Sequence, residues 1–141
     1  MVEAAGLEGT IRSGSGEGAF FLGLGWVRDG IREECGFDPY PGTLNVELTN
    51  PDLLGHWRDI RKLAGRPLVP ARPGECGGTV IPVLVEGAVR GAVIVPDVTR
   101  YGEETLEVIA PICLRSAFGL KDGDRVRLAA LIEEEGPWRT T

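Results

Sequence analysis

Apolar positions along this chain fall in short bursts, and their spacing alternates between strand-like and helix-like. Gly6–Ser13 and Ala19–Leu24 read as two strands with a glycine-rich loop between them. Trp26, Val27 and Ile31 share one side of a helix over Trp26–Cys35, and Gly36 stands where a C-cap glycine belongs. Pro39-Tyr40-Pro41-Gly42 is turn chemistry, and Thr43–Leu48 follows as a strand. Asn50-Pro51 supplies an N-cap and a proline at the first helical position. The helix it starts turns Leu53, Leu54, Trp57, Ile60 and Leu63 inward and stops near Gly65.

Arg66–Gly78, dense in proline and glycine, predicts an irregular surface loop. Thr79–Glu86 and Ala88–Val95 pair as a hairpin about Gly87. Thr105–Ala110 is a further strand, and Pro111 opens a short helix that runs through Phe118 and ends at Gly119. Lys121-Asp122-Gly123-Asp124 turns into the last strand, Arg125–Ile132. The polar end of the chain predicts one domain over 1–133 and a flexible tail over 134–141. Many short strands with two or three short helices do not form alternating βαβ units. The fold class is therefore mainly β, a single small barrel, because closing the sheet removes its exposed edges.

The composition agrees: 21 glycines and 10 prolines among 141 residues punctuate many short elements. Fifteen basic against twenty-one acidic residues give a net charge of −6. Nucleic acid as a partner is thereby disfavoured, since neutralising phosphates takes a basic face. The stretch from Arg58 to Arg66 is diluted by Asp59 and reads as the solvated face of a helix. Cys35, Cys76 and Cys113 lie far apart with no C-x-x-C spacing, which supports neither a zinc site nor a disulfide framework. Reduced thiols, no signal-like start at Met1–Leu7 and no apolar stretch long enough for a bilayer predict a soluble cytoplasmic protein without a membrane partner.

Three constellations carry candidate chemistry. In Ser13-Gly14-Ser15-Gly16-Glu17-Gly18, alternate glycines free the backbone to turn N–H groups toward an anion; a flexible hairpin turn is the equal alternative. Neither a Walker A loop nor a Rossmann fingerprint fits there, since no Gly-Lys-Ser/Thr follows and Ala19 stands in place of the third glycine. Thr43 and Asn45 share one strand face, and two neutral oxygens there suit a Mg²⁺ completed by phosphates and water. An ordinary half-exposed strand explains them as well. Glu107 sits in an apolar strand, where a carboxylate needs a partner such as a ligand hydroxyl, unless the alternation turns it to solvent. His56 has no matching nucleophile, and the aromatic residues read as core.

Taken together, Gly9–Leu22 (GTIRSGSGEGAFFL), Gly36–Leu48 (GFDPYPGTLNVEL), Ala92–Thr99 (AVIVPDVT) and Glu107–Val126 (EVIAPICLRSAFGLKDGDRV) resemble the archaeal-type CTP-dependent riboflavin kinases, in order and spacing. The resemblance implies a six-stranded cradle-loop (RIFT-type) barrel and phosphate transfer from CTP to the riboflavin 5′-hydroxyl, giving FMN and CDP. It carries nucleotide binding onto Gly14, Ser15, Gly16, Glu17, Gly18 and Ala19, and onto Ile112, Cys113, Leu114 and Arg115. One Mg²⁺ per site falls to Thr43 and Asn45, and flavin contacts fall to Thr99 and Glu107. Arg115 then opposes developing charge, and Glu107 orients the ribityl hydroxyl or acts as its base. Where the family's loop can close with a basic residue this chain has Ala19, so Arg12 or Arg115 would replace that contact. Thr49–Gly78 is the least similar stretch. Two other readings stand beside the kinase: a flavin- or nucleotide-binding module without catalysis, and a swapped-barrel DNA-binding regulator, which shares the Leu120–Val126 ending. The oligomeric state is left open by the sequence, and a monomer is compatible with the kinase reading.

Overall fold

Strand β1 (Val2–Arg12) opens the fold, followed by α1 (Gly25–Cys35), β2 (Leu44–Leu48), α2 (Asp52–Ala64) and β3 (Arg66–Leu68). Then come β4 (Gly78–Val85), β5 (Val89–Pro96), β6 (Thr105–Ile109), α3 (Leu114–Phe118) and β7 (Arg125–Ile132). This is a computed structural model, and the residues it describes are 2–14, 21–70, 72, 74, 76–98 and 102–132. The strands run in the order β4-β5-β6-β2-β1-β7, and β7 returns to β4 through Val83↔Ala130 to Val85↔Leu128, all antiparallel. That return closes the six-stranded barrel expected from the sequence. Strand β3 takes the other half of the same β4 edge, opposite Gly78–Val80.

Two apolar clusters hold the wall from both sides. The interior one joins Ile11, Val46, Ile81, Val83, Val93, Val108 and Leu128, and α2 adds Trp57, Ile60 and Ala64 to it. The outer one packs Val27 and Ile31 of α1, with Phe21 and Leu22, on Val80, Ala92, Ile94 and Ile109. Strands β4 and β5 are thus buried on both faces. That explains why their sequences run apolar without alternating. Gly9 lets β2 close on β1, since a Cβ there would lie 2.5 Å from the Glu47 carbonyl oxygen.

Several expectations need correction. Phe21 and Leu22 form a helical turn, not a strand: the Leu24 N–H donates to the Phe21 carbonyl at 3.1 Å, and both side chains are buried in the outer cluster. A strand would have sent one of that pair to the opposite side. Arg66–Leu68 is strand and not loop, a short edge segment where Pro67 is tolerated and Leu68 reaches the outer cluster. Leu63 is 71% exposed and Ala64 takes the inward place. At about 100° per residue, Leu63 lies roughly 120° around the helix from Trp57. The start of α2 differs by one residue from expectation: Pro51 takes the N-cap position, and the Asp52 N–H donates to the Asn50 side-chain oxygen at 3.0 Å. The glycine-loop strand start at Ala19 and the tail beyond 132 lie outside the described residues.

Candidate active site

The buried polar side chains among the described residues are Asn45 and Glu107, and they are cross-strand partners in the β2–β6 ladder. Their neighbours Leu44, Val46, Leu106 and Val108 fill the barrel interior, so the pair points to the outer side of the wall. Outward does not mean solvated here: Asn45 is 6% exposed and Glu107 3%. The solvent-facing explanations of both residues therefore fail. Thr43, one position before β2, donates its hydroxyl to Glu107 Oε1 at 3.5 Å. Asn45 Oδ1 is buried with no hydrogen-bond partner. An orphaned acceptor costs about 1–3 kcal/mol, which a protein recovers only when something else binds it. Hard, neutral and anionic oxygens gathered this way fit Mg²⁺ chemistry.

A second group lies beyond Thr43. A cavity of about 70 Å³ is lined by Thr43, Tyr40, Gly42, Ile112, Cys113 and Arg115, so one threonine borders both places. Arg115 donates to Asp122 Oδ1 at 2.6 Å, and the Ser13 hydroxyl donates to the other oxygen of that carboxylate. The Ser13 hydroxyl, then Arg115, hold the Asp122 carboxyl below its ordinary range. The turn bearing Asp122 is tied to the end of β1, because the Gly123 N–H donates to the Ile11 carbonyl at 2.8 Å. Asp122 thus joins the mouth of the glycine-rich segment to α3. The Ser116 hydroxyl donates to Cys113 Sγ at 3.4 Å and draws that thiol below its usual range. Leu114 is buried in the interior cluster, which leaves its backbone as the part available to a ligand.

On the other side of Glu107 the wall opens. Strands β5 and β6 pair from Ala92↔Ile109 to Ile94↔Glu107 and then part. A slot of about 190 Å³ lies in the gap, lined by Trp57, Arg61, Val95, Asp97, Thr105 and Glu107. A larger cavity of about 470 Å³, at the β1–β7–β4 seam, touches none of the candidate site residues.

Residues 11–130 match the family model CTP-dep_RFKase, described as domain of unknown function DUF120. The chain belongs to the archaeal-type CTP-dependent riboflavin kinase family. It is 38% identical over 118 residues to the riboflavin kinase of Methanothermobacter thermautotrophicus, covering 84% of this chain and 93% of that protein. Against the riboflavin kinase of Methanocella arvoryzae it is 40% identical over 122 residues, covering 86% of this chain and 55% of the other. Against that of Pyrobaculum calidifontis it is 41% identical over 132 residues, covering 86% and 58%. The chain spans little more than half the length of these last two. Membership in this kinase family makes it a phosphotransferase.

Of the residues the kinase resemblance singled out, the structure brings Thr43, Asn45 and Glu107 together and sets Ile112, Cys113 and Arg115 around the adjoining cavity. Arg12 is the β1 partner of Asn45 and pairs with Glu47 at 3.5 Å. Gly14 is exposed beside Ser13. Ser15, Gly16, Glu17, Gly18, Ala19 and Thr99 lie outside the described residues. Asp122, Trp57 and Arg61 were not placed beside the site by the sequence reading. Asp122 stood in plain view in a turn motif, and Arg61 lies one helical turn after Trp57, but neither spacing announces a remote partner. Among the described residues no helix is long and apolar enough to cross a membrane.

Proposed function

We propose that the chain is a CTP-dependent riboflavin kinase that moves the γ-phosphate of CTP to the riboflavin 5′-hydroxyl, giving FMN and CDP. The observation that carries this reading is the buried Asn45–Glu107 pair, reached by Thr43 and set between the Arg115 cavity and the β5–β6 slot. One substrate on each side of Thr43 would bring a phosphate and a hydroxyl to the same buried carboxylate. The family model's name supports CTP as donor, and the relatives named riboflavin kinase support riboflavin as acceptor.

Phosphoryl transfer asks the protein for positioning and charge neutralisation more than for covalent chemistry. Backbone N–H groups over Gly14–Ala19 and around Ile112–Arg115 would hold the CTP phosphates. Thr43 and Asn45 would hold a Mg²⁺, which when bound neutralises charge on the phosphate oxygens. Glu107 accepts the proton of the riboflavin 5′-hydroxyl as that oxygen bonds to the γ-phosphorus, and the bond to the β–γ bridging oxygen breaks with CDP as leaving group. Arg115 opposes the charge that develops. With Ala19 in the loop, Arg12 or Arg115 would supply the phosphate contact that a basic residue makes elsewhere in the family. Incubating the protein with riboflavin, Mg²⁺ and each nucleoside triphosphate, and following FMN, tests the proposal. FMN formed with CTP supports it, and no FMN with any donor rejects it.

A further inference from the structure

Beyond Ile94 and Glu107 the β5–β6 ladder stops, yet both strands continue. Val95 and Pro96 stay paired to β4, while Thr105 and Leu106 stay paired to β2. Each strand therefore turns one unpaired ladder edge toward the other across the slot. Trp57, 1% exposed, and Arg61 of α2 both line this slot. Arg61, four residues on and on the same helix face, lies with its guanidinium carbon 6.0 Å from the Trp57 ring centroid. The nearby carboxylate of Glu103 is held by Arg58 at 2.5 Å. Among the described residues Arg61 makes no hydrogen bond and no close ion pair, and attracts the Glu103 carboxylate only through space. A half-buried planar cation with unclaimed donors, beside two open strand edges, suits a flat ring whose rim alternates acceptor and donor.

We infer that Arg61 determines flavin specificity by hydrogen-bonding the carbonyl-bearing pyrimidine edge of the isoalloxazine ring, which lies in the β5–β6 slot. The inference rests on the riboflavin reading above. Glu107, on the slot wall, takes the ribityl hydroxyl, and the ring at the far end of that chain enters the gap. Its two carbonyls and the N–H between them meet the guanidinium fork and the strand edges. The ring needs no charge for this; its carbonyl dipoles suffice.

The test uses Arg61→Met, which keeps the stem packed on Trp57 and removes every donor. Riboflavin affinity is read from quenching of flavin fluorescence, and carbonyl hydrogen bonding from ¹³C spectra of riboflavin labelled at both ring carbonyls. Wild-type protein should move at least one carbonyl signal downfield. Arg61→Met should lose about tenfold to a hundredfold in affinity, return that signal toward its free position, and bind CDP as before. Wild-type affinity in Arg61→Met, or weaker binding with the carbonyl signal unmoved, overturns the inference. If Arg61→Met does not fold, Arg61→Lys keeps the charge without the fork; it should show weaker binding and a smaller carbonyl shift, and wild-type values for both would be contrary. A wild-type protein that binds no riboflavin defeats the kinase reading itself, a result distinct from all of these.

Discussion

Asn45 and Glu107 face each other across the β2–β6 ladder, both buried on the outer side of the barrel wall, with the Asn45 side-chain oxygen unpartnered. A structural role would have satisfied that oxygen. On the proposed Mg²⁺ role, the bare oxygen gives up stability for binding, so Asn45→Val should separate the two. The melting temperature should stay equal or rise, because an unsatisfied acceptor is replaced by a good strand former. Kinase activity should fall roughly 10²–10³-fold as charge neutralisation at the phosphate is lost. Thermal melts beside activity assays decide it. A melting point lowered by several degrees with activity retained would make Asn45 a structural group.

Glu107→Gln keeps the shape and one acceptor while removing the charge and any capacity as a base. If the carboxylate takes the hydroxyl proton, single-turnover rates should drop about 10²–10⁴-fold with riboflavin affinity little changed. If it only orients the ribityl chain, affinity should fall by roughly 1.5–3 kcal/mol, with a modest effect on rate. Wild-type values for both would remove Glu107 from the site.

Asp122 holds Ser13 at the mouth of the glycine-rich segment and Arg115 at the start of α3. Asp122→Asn should weaken CDP binding about two- to fivefold, the modest effect of an exposed charged link. The pH dependence has a definite sign. Because the folded carboxyl lies below its ordinary value, the link is fully present above that value and is lost as pH falls through the depressed one. Calorimetric titration of CDP across acid pH should show an affinity loss in the wild type that Asp122→Asn lacks. Parallel curves would mean that the carboxylate plays no part.

Much of this molecule is readable where local chemistry decides. Gly36, at φ 79°, ends α1 as its position suggests, and the hairpin tip takes positive φ at Glu86 (50°) and Gly87 (66°). Strand β7 has the bounds its turn implies. Strand β3 escapes because three residues including Pro67 hold no periodicity; its partner in β4 makes it a strand. The Thr43–Asn45 face follows from a period of two. The burial of Glu107 does not, since alternation says which side a residue takes and only tertiary cover decides whether that side is wet. The Ser13–Asp122 contact spans 109 positions, and no local pattern reports such a pairing.

On the proposed nucleotide-binding role of residues 14–19, backbone freedom there cannot be exchanged for bulk. Gly16→Val should reduce CDP affinity more than it reduces stability, because a β-branched side chain obstructs phosphate approach to the loop N–H groups. Calorimetry on the folded variant checks this, and unchanged affinity would reduce the segment to an ordinary turn.

A comparison of phosphate donors probes the proposed reaction itself. Initial rates of FMN formation are measured with riboflavin and Mg²⁺ at equal concentrations of CTP, ATP, GTP and UTP. FMN should form fastest with CTP, with CDP produced in equal amount, and the reaction should be lost on chelating Mg²⁺. Faster turnover with ATP, or no FMN from any of the four, would contradict it.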